Sequence, residues 1–163
     1  MKWSKPLALA LACLPLPAFA ATDAQHSFLA GMAGTWSVEQ TLWLDGAPRV
    51  DHGTAEFAMV LNQRHLRQSL KIDDGTGFEG LGYVGYDDGR FFTTWMDVNF
   101  PGMVLAYGDC DQAMKTCVFT GHMGDVPVRE VLTVGDANHI RYEFYETRSG
   151  KESLGVQLDY IRN

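Results

Sequence analysis

Four carboxylates stand inside strand-like runs of this sequence: Glu56, Asp97, Glu130 and Glu146. A carboxylate turned into an apolar interior is costly unless it is paired or hydrogen-bonded, so an inward one is either structural or a working group. The run from Val126 to Val134 alternates, and Glu130 shares its side with Val128, Leu132 and Val134. The same alternation puts Tyr142, Phe144 and Glu146 together. Glu130 or Asp97 is thereby a candidate general base for an isomerase or hydrolase. The competing reading pairs these acids with Arg67, Arg129 or Arg141 as barrel glue, or leaves them at a rim. No residue is assigned as catalytic.

Other chemistry finds less support. Gly80-Leu81-Gly82-Tyr83-Val84-Gly85 matches Gly-x-Gly-x-x-Gly letter for letter. Dinucleotide binding needs a strand before that motif and a helix after it. Here an Asp/Gly turn precedes it and Tyr86-Asp87-Asp88-Gly89 follows, so nucleotide binding is rejected. The glycines read instead as places where a coiled strand bends and nears its neighbours. His26, His52, His65, His122 and His139 include no closely spaced pair, so no metal site is assigned. Haem held on one histidine is the remaining cofactor reading, and no cofactor is adopted. His65 falls on the polar side of its strand and is expected to be exposed. No Gly-x-Ser-x-Gly elbow is present.

The aromatic residues point to a container. Phe57, Met59, Trp95, Tyr142 and Phe144, with Gln40 and Gln68 on corresponding faces, would line a mostly apolar cavity with a few polar anchors. A barrel packed solid with side chains is the alternative.

The elements that must position these groups are short. Asp23 to Met32 is predicted as the one helix, with Phe28, Leu29 and Met32 on one side, lying across a barrel mouth. Ten strands are predicted after it, separated by glycine and aspartate turns. They begin at Thr35, then run Thr54–Leu61, Arg64–Ile72, Phe78–Tyr86, Arg90–Asp97, Met103–Cys110, Cys117–His122, Val126–Val134, His139–Thr147 and Glu152–Ile161. Asp88-Gly89 is the strongest hairpin signal, and Asp45-Gly46 marks the first turn. Short connections and one apolar face per strand suit an all-β, antiparallel up-and-down barrel, in which closure removes exposed edges. In such barrels a Gly-x-Trp sequence often opens the first strand, and Gly34-Thr35-Trp36 would place its indole as a plug at one end. No second domain, linker or repeat is evident.

Residues 1–20 read as a cleaved export signal: Lys2 and Lys5, an apolar run from Leu7 to Leu16, and Ala18-Phe19-Ala20 before the cut. That run, broken by Pro15 and Pro17, is shorter than the roughly 18 residues a spanning helix needs. A lipoprotein signal at Cys13 is the alternative. Residues 21–163 are then one domain, periplasmic or secreted, without an integral membrane segment. The chain carries a formal charge of −7, and loss of two lysines makes it more acidic. Nucleic acid and anionic lipid want a basic footprint, so neither is a predicted partner. Cys110 and Cys117 flank a turn-like hexapeptide, and in an oxidising compartment they read as a disulfide.

Several stretches then look familiar. Gly34-Thr35-Trp36, Gly53-Thr54-Ala55-Glu56, Arg64-His65-Leu66, Phe78 to Asp87, Trp95-Met96-Asp97, Arg129-Glu130-Val131 and Tyr145-Glu146 follow the order seen in a bacterial family. The chain resembles the family catalogued as domain of unknown function 1579, over nearly all of residues 21–163. That family is calycin-like, related in architecture to lipocalins and fatty-acid-binding proteins, and the resemblance implies no particular reaction. His65 and the cysteine pair depart from the usual pattern. The lipocalin comparison further implies that Arg162 packs over Trp36 as a cation–π and hydrogen-bonding lid.

Three functions remain in play: binding of a small, largely apolar molecule in the barrel, an enzyme using a barrel carboxylate, or an envelope interaction module. Trp43, projecting opposite to Trp36, is the handle for the last. The sequence does not fix the oligomeric state.

Overall fold

The computed structural model describes residues 22–43, 47–111 and 113–163. The export segment 1–20 with its cut after Ala20, the Asp45-Gly46 turn and Gln112 lie outside the described residues. Among the described residues one helix, α1 (Thr22–Gly31), precedes ten strands. These are β1 (Gly34–Leu42), β2 (Arg49–Val60), β3 (His65–Ile72), β4 (Phe78–Asp87), β5 (Arg90–Asp97), β6 (Val104–Cys110), β7 (Thr116–Met123), β8 (Val126–Asp136), β9 (His139–Arg148) and β10 (Lys151–Arg162). Each strand pairs antiparallel with the next, and β10 pairs back onto β1 to close the barrel. Strand boundaries move little from those predicted, except that β2 starts at Arg49 rather than Thr54. Residues 49–53 pair with Val38–Leu42 of β1, so the ladder overrides their polar composition.

Up-and-down order sorts the connections onto two ends. The turns after β2, β4, β6 and β8 share one end with α1, which packs on β2, β3 and β4. The turns after β3, β5, β7 and β9 form the other. At the α1 end Asp88 (φ 44°) and Gly89 (φ 84°) are both left-handed, the conformation a two-residue hairpin turn demands.

The α1 end is sealed. Trp36 is fully buried, and its indole N–H donates to the Met32 carbonyl at 3.2 Å. Arg162 is its direct partner across the β1–β10 seam, with the guanidinium 4.1 Å from the ring centroid. That guanidinium donates to the carbonyls of Ala33 (2.6 Å), Gly31 (2.8 Å) and Ala137 (2.6 Å). Gly34 has φ 145°, and a side chain there would run into the Arg162 guanidinium. Phe57 stacks edge-on against both Trp36 and Tyr160. Cys110 and Cys117 are directly opposed in the β6–β7 register and form a disulfide. Closing so short a loop contributes on the order of 2–3 kcal/mol.

Trp36→Ala should cost about 3–5 kcal/mol in denaturant unfolding. Arg162→Ala should cost about 2 kcal/mol, because it strips charged donors from three carbonyls.

Candidate functional site

Between the Trp36 plug and the opposite end lies a cavity of about 630 Å³. Its floor includes Met32, and its walls are mainly apolar, with Phe57, Leu66, Leu70, Phe119, Leu132 and Leu158 among them. Leu42, Arg49, Asp74, Thr76, Asn99 and Phe100, at or beside the strand ends away from α1, also line it. The cavity therefore has its mouth at the end opposite the helix.

The structure brings Gln40, Phe57, Gln68, Trp95, Asp97, Glu130, Tyr142 and Phe144 together on this wall. Met59 is the exception. It points inward like Phe57 but lies two residues nearer the α1 end, opposite Leu66, where it packs against the sealed core instead. Thr93 and Tyr160, which sequence reasoning passed over, also face the cavity. Both were accessible to the alternation argument, since Thr93 shares a side with Trp95 and Tyr160 with Leu158.

Glu130 is the most unusual group. Its residue exposure is 3%, and its Oε2 accepts a hydrogen bond from the Thr93 hydroxyl across two intervening strands at 2.8 Å. Of the expected acid–arginine pairings Glu56 has Arg67, but none reaches Glu130, since Arg129 is engaged with Glu152 and Arg141 with Asp159. Those arginines alternate out of phase with Glu130 and its cavity-facing neighbours, on the outside of the wall, so none can reach it. Burial therefore drives the Glu130 pKa up to about 7, against the opposing pull of the Thr93 and Tyr142 hydroxyls. Tyr142 is itself pushed well above the usual tyrosine range, by burial first and the neighbouring Glu130 charge second. Deeper in, Gln68 donates to the Tyr160 hydroxyl at 2.7 Å.

Asp97 has a different job. One oxygen accepts the Trp95 indole N–H at 2.8 Å, and the other accepts the backbone N–H groups of Asn99 and Phe100. It ties the Trp95 ring to the loop at the mouth. The ring is seated on glycine: a methyl group at Gly80 would overlap the indole, and one at Gly82 would come within 2.9 Å of it. The glycine motif of β4 is thus a cradle for Trp95, while Gly85 leaves room for Phe92 and His65. His65 is half-buried rather than exposed, because Phe92 tilts over it at 5.8 Å. Among the described residues no cluster of three or more histidine, cysteine or acidic side chains could hold a metal ion. No described helix is long and apolar enough to cross a membrane.

The family model described as "Protein of unknown function (DUF1579)" matches residues 21–162. No curated protein sequence matches the chain. Among solved structures, the S-type phycobiliprotein lyase CPES from Guillardia theta superposes with a TM-score of 0.61 at 10% identity, over 85% of this chain and 92% of that one. The structure titled EF1p2_mFAP2b bound to DFHBI gives a TM-score of 0.44 at 15% identity, over 88% and 98%. At these identities the lyase shows the shared barrel fold, and the weaker superposition adds nothing to it.

Two outcomes test this geometry. An acid whose folded pKa exceeds its unfolded value stabilises the fold less as pH rises between the two, here from 4.5 to about 7. Glu130→Gln should therefore stabilise the protein at about pH 8, by up to about 3 kcal/mol, and lose that advantage near pH 4.5, as read from paired chemical melts. Gly80→Ala should displace the Trp95 indole, costing about 1–3 kcal/mol and shifting the Trp95 emission.

Proposed function

The chain belongs to the DUF1579 family, whose description assigns no activity, and from its own interior we propose an exported protein that binds a small, largely apolar ligand inside the barrel. The carrying observation is the cavity of about 630 Å³, sealed at one end by Trp36 and open at the other. Small-molecule sites are concave and mostly apolar, with a few polar groups that fix orientation, and they fall in this size range. Gln40, Gln68, Thr93, Glu130 and Tyr142 are the polar groups here, and Trp95 is an aromatic part of the wall toward the mouth. Export rests on the pattern of residues 1–20, and the Cys110–Cys117 bridge suits an oxidising compartment.

A second reading is favoured by one observation. A buried carboxyl poised near neutrality suits proton transfer, so Glu130 is a candidate general acid or base for a substrate in the same cavity. Ordinary acidic titration of Glu130, followed by carbon NMR, removes that reading. Asp97 is spent on Trp95 and the mouth loop and drops out of it.

The binding reading is tested on processed protein purified from the cell envelope. Organic extraction and mass spectrometry should recover a bound apolar compound, and a lipid and metabolite screen should raise the melting temperature. A ligand at about a hundredfold its Kd adds about 2.7 kcal/mol. In a Trp43→Phe background the same ligand should change Trp95 fluorescence. An empty extract together with an unmoved melting point across the screen counts decisively against ligand binding.

A further inference from the structure

Resting on the binding reading, the geometry points to a particular ligand class: we propose that the cavity takes apolar amines, with the ammonium group seated on Glu130. Glu130 is nine-tenths buried and faces the cavity with only hydroxyl partners, Thr93 from β5 and Tyr142 from β9. Tyr160 of β10 is the next titratable group inward, and it bonds to Gln68. Among the described residues Arg49 is the one cation on the cavity wall, and it stands at the mouth bound to Asp51 at 2.7 Å and near Asp74 at 3.8 Å.

The other acids on the wall are already engaged. Asp74 has Thr76 and Arg49, Asp97 has Trp95 and two backbone donors, and Glu146 has Arg148 at 2.6 Å. Among the described residues Glu130 is thus the one wall carboxylate whose charge has neither a cation nor backbone donors beside it. Both hydroxyls favour its ionised form, while burial opposes it. An incoming ammonium would supply the missing charge in a low-dielectric setting, where such a pair is strong. Trp95, Phe119, Tyr142 and Phe144 also line the cavity, and aromatic rings there suit both a cation and an apolar body. A fatty-acid anion would meet four acids and one arginine on the same wall, and is disfavoured.

The test uses the processed full domain and calorimetry with decylamine, decanol and decanoate from about pH 6 to about pH 8. Decylamine should bind tightest and decanoate weakest. With Glu130 titrating at about 7, amine affinity should rise about tenfold across that range, while decanol affinity does not rise. Glu130→Gln should weaken decylamine at least about tenfold and flatten its pH profile, leaving decanol within about threefold. Thr93→Val keeps Glu130 but removes a donor to its charged form, and should move the rise in amine binding to higher pH. Decanol binding as tightly as decylamine, amine affinity flat or falling with pH, or Glu130→Gln binding the amine undiminished would each overturn the proposal and leave the binding reading intact. Binding of none of the three probes would count against both.

Discussion

The fold depends on one seam. β10 must return to β1 in the register that sets Arg162 beside Trp36, and that pairing does two things together. It converts an open sheet with two bare edges into a closed wall. It also stacks a guanidinium on the indole and uses the same cation to hold three carbonyls from the α1–β1 junction and the β8–β9 turn. A slip of one residue would turn every inward side chain of β10 outward, Tyr160 and Leu158 among them. The cavity wall is therefore only as well defined as this contact.

From the seam the barrel is graded along its axis. Near α1, Trp36, Phe57, Leu29 and Met32 pack together in the buried core. Farther along, side chains no longer meet in the middle, and polar groups enter the wall. Interior width grows with strand number, and an eight-stranded barrel is just wide enough to fill with side chains or to hold one small ligand. Ten strands leave more room, and the helix and the indole use it up at one end only. Glu130 lies along the hollow part of the wall, with the Gln68–Tyr160 pair deeper in, and is almost fully buried while still lining the cavity.

Much of this was legible in the sequence because alternation reports which side of a strand a residue takes. The side shared by Glu130, Val128 and Leu132 follows from that rule, while the ten strands were marked by their glycine and aspartate turns and the Gly34–Trp36 opening by its motif. What alternation cannot report is depth along the axis. Met59 shares its side with Phe57 but lies at the sealed end, so it belongs to the core. Nor can it report who stands opposite. The Thr93–Glu130 bond joins β5 to β8 across two intervening strands, and only the curvature of a closed sheet brings the two together. The Gly80–Gly82 cradle was hidden for the same reason: its purpose is a ring on the neighbouring strand. His65 misled because its outer surface is covered by Phe92, also a neighbour in space.

The β1–β10 seam also dictates an order of assembly. Nine of the ten strand pairings join neighbours in sequence and need only short loops, whereas the seam joins residues 36–42 to residues 156–162. Loop-closure entropy makes so distant a contact slow to find. Hairpins can form as soon as each is synthesised, but the cylinder waits for the final strand to emerge. Until then the polypeptide is a ribbon with both margins bare, a state that needs protection from its own kind.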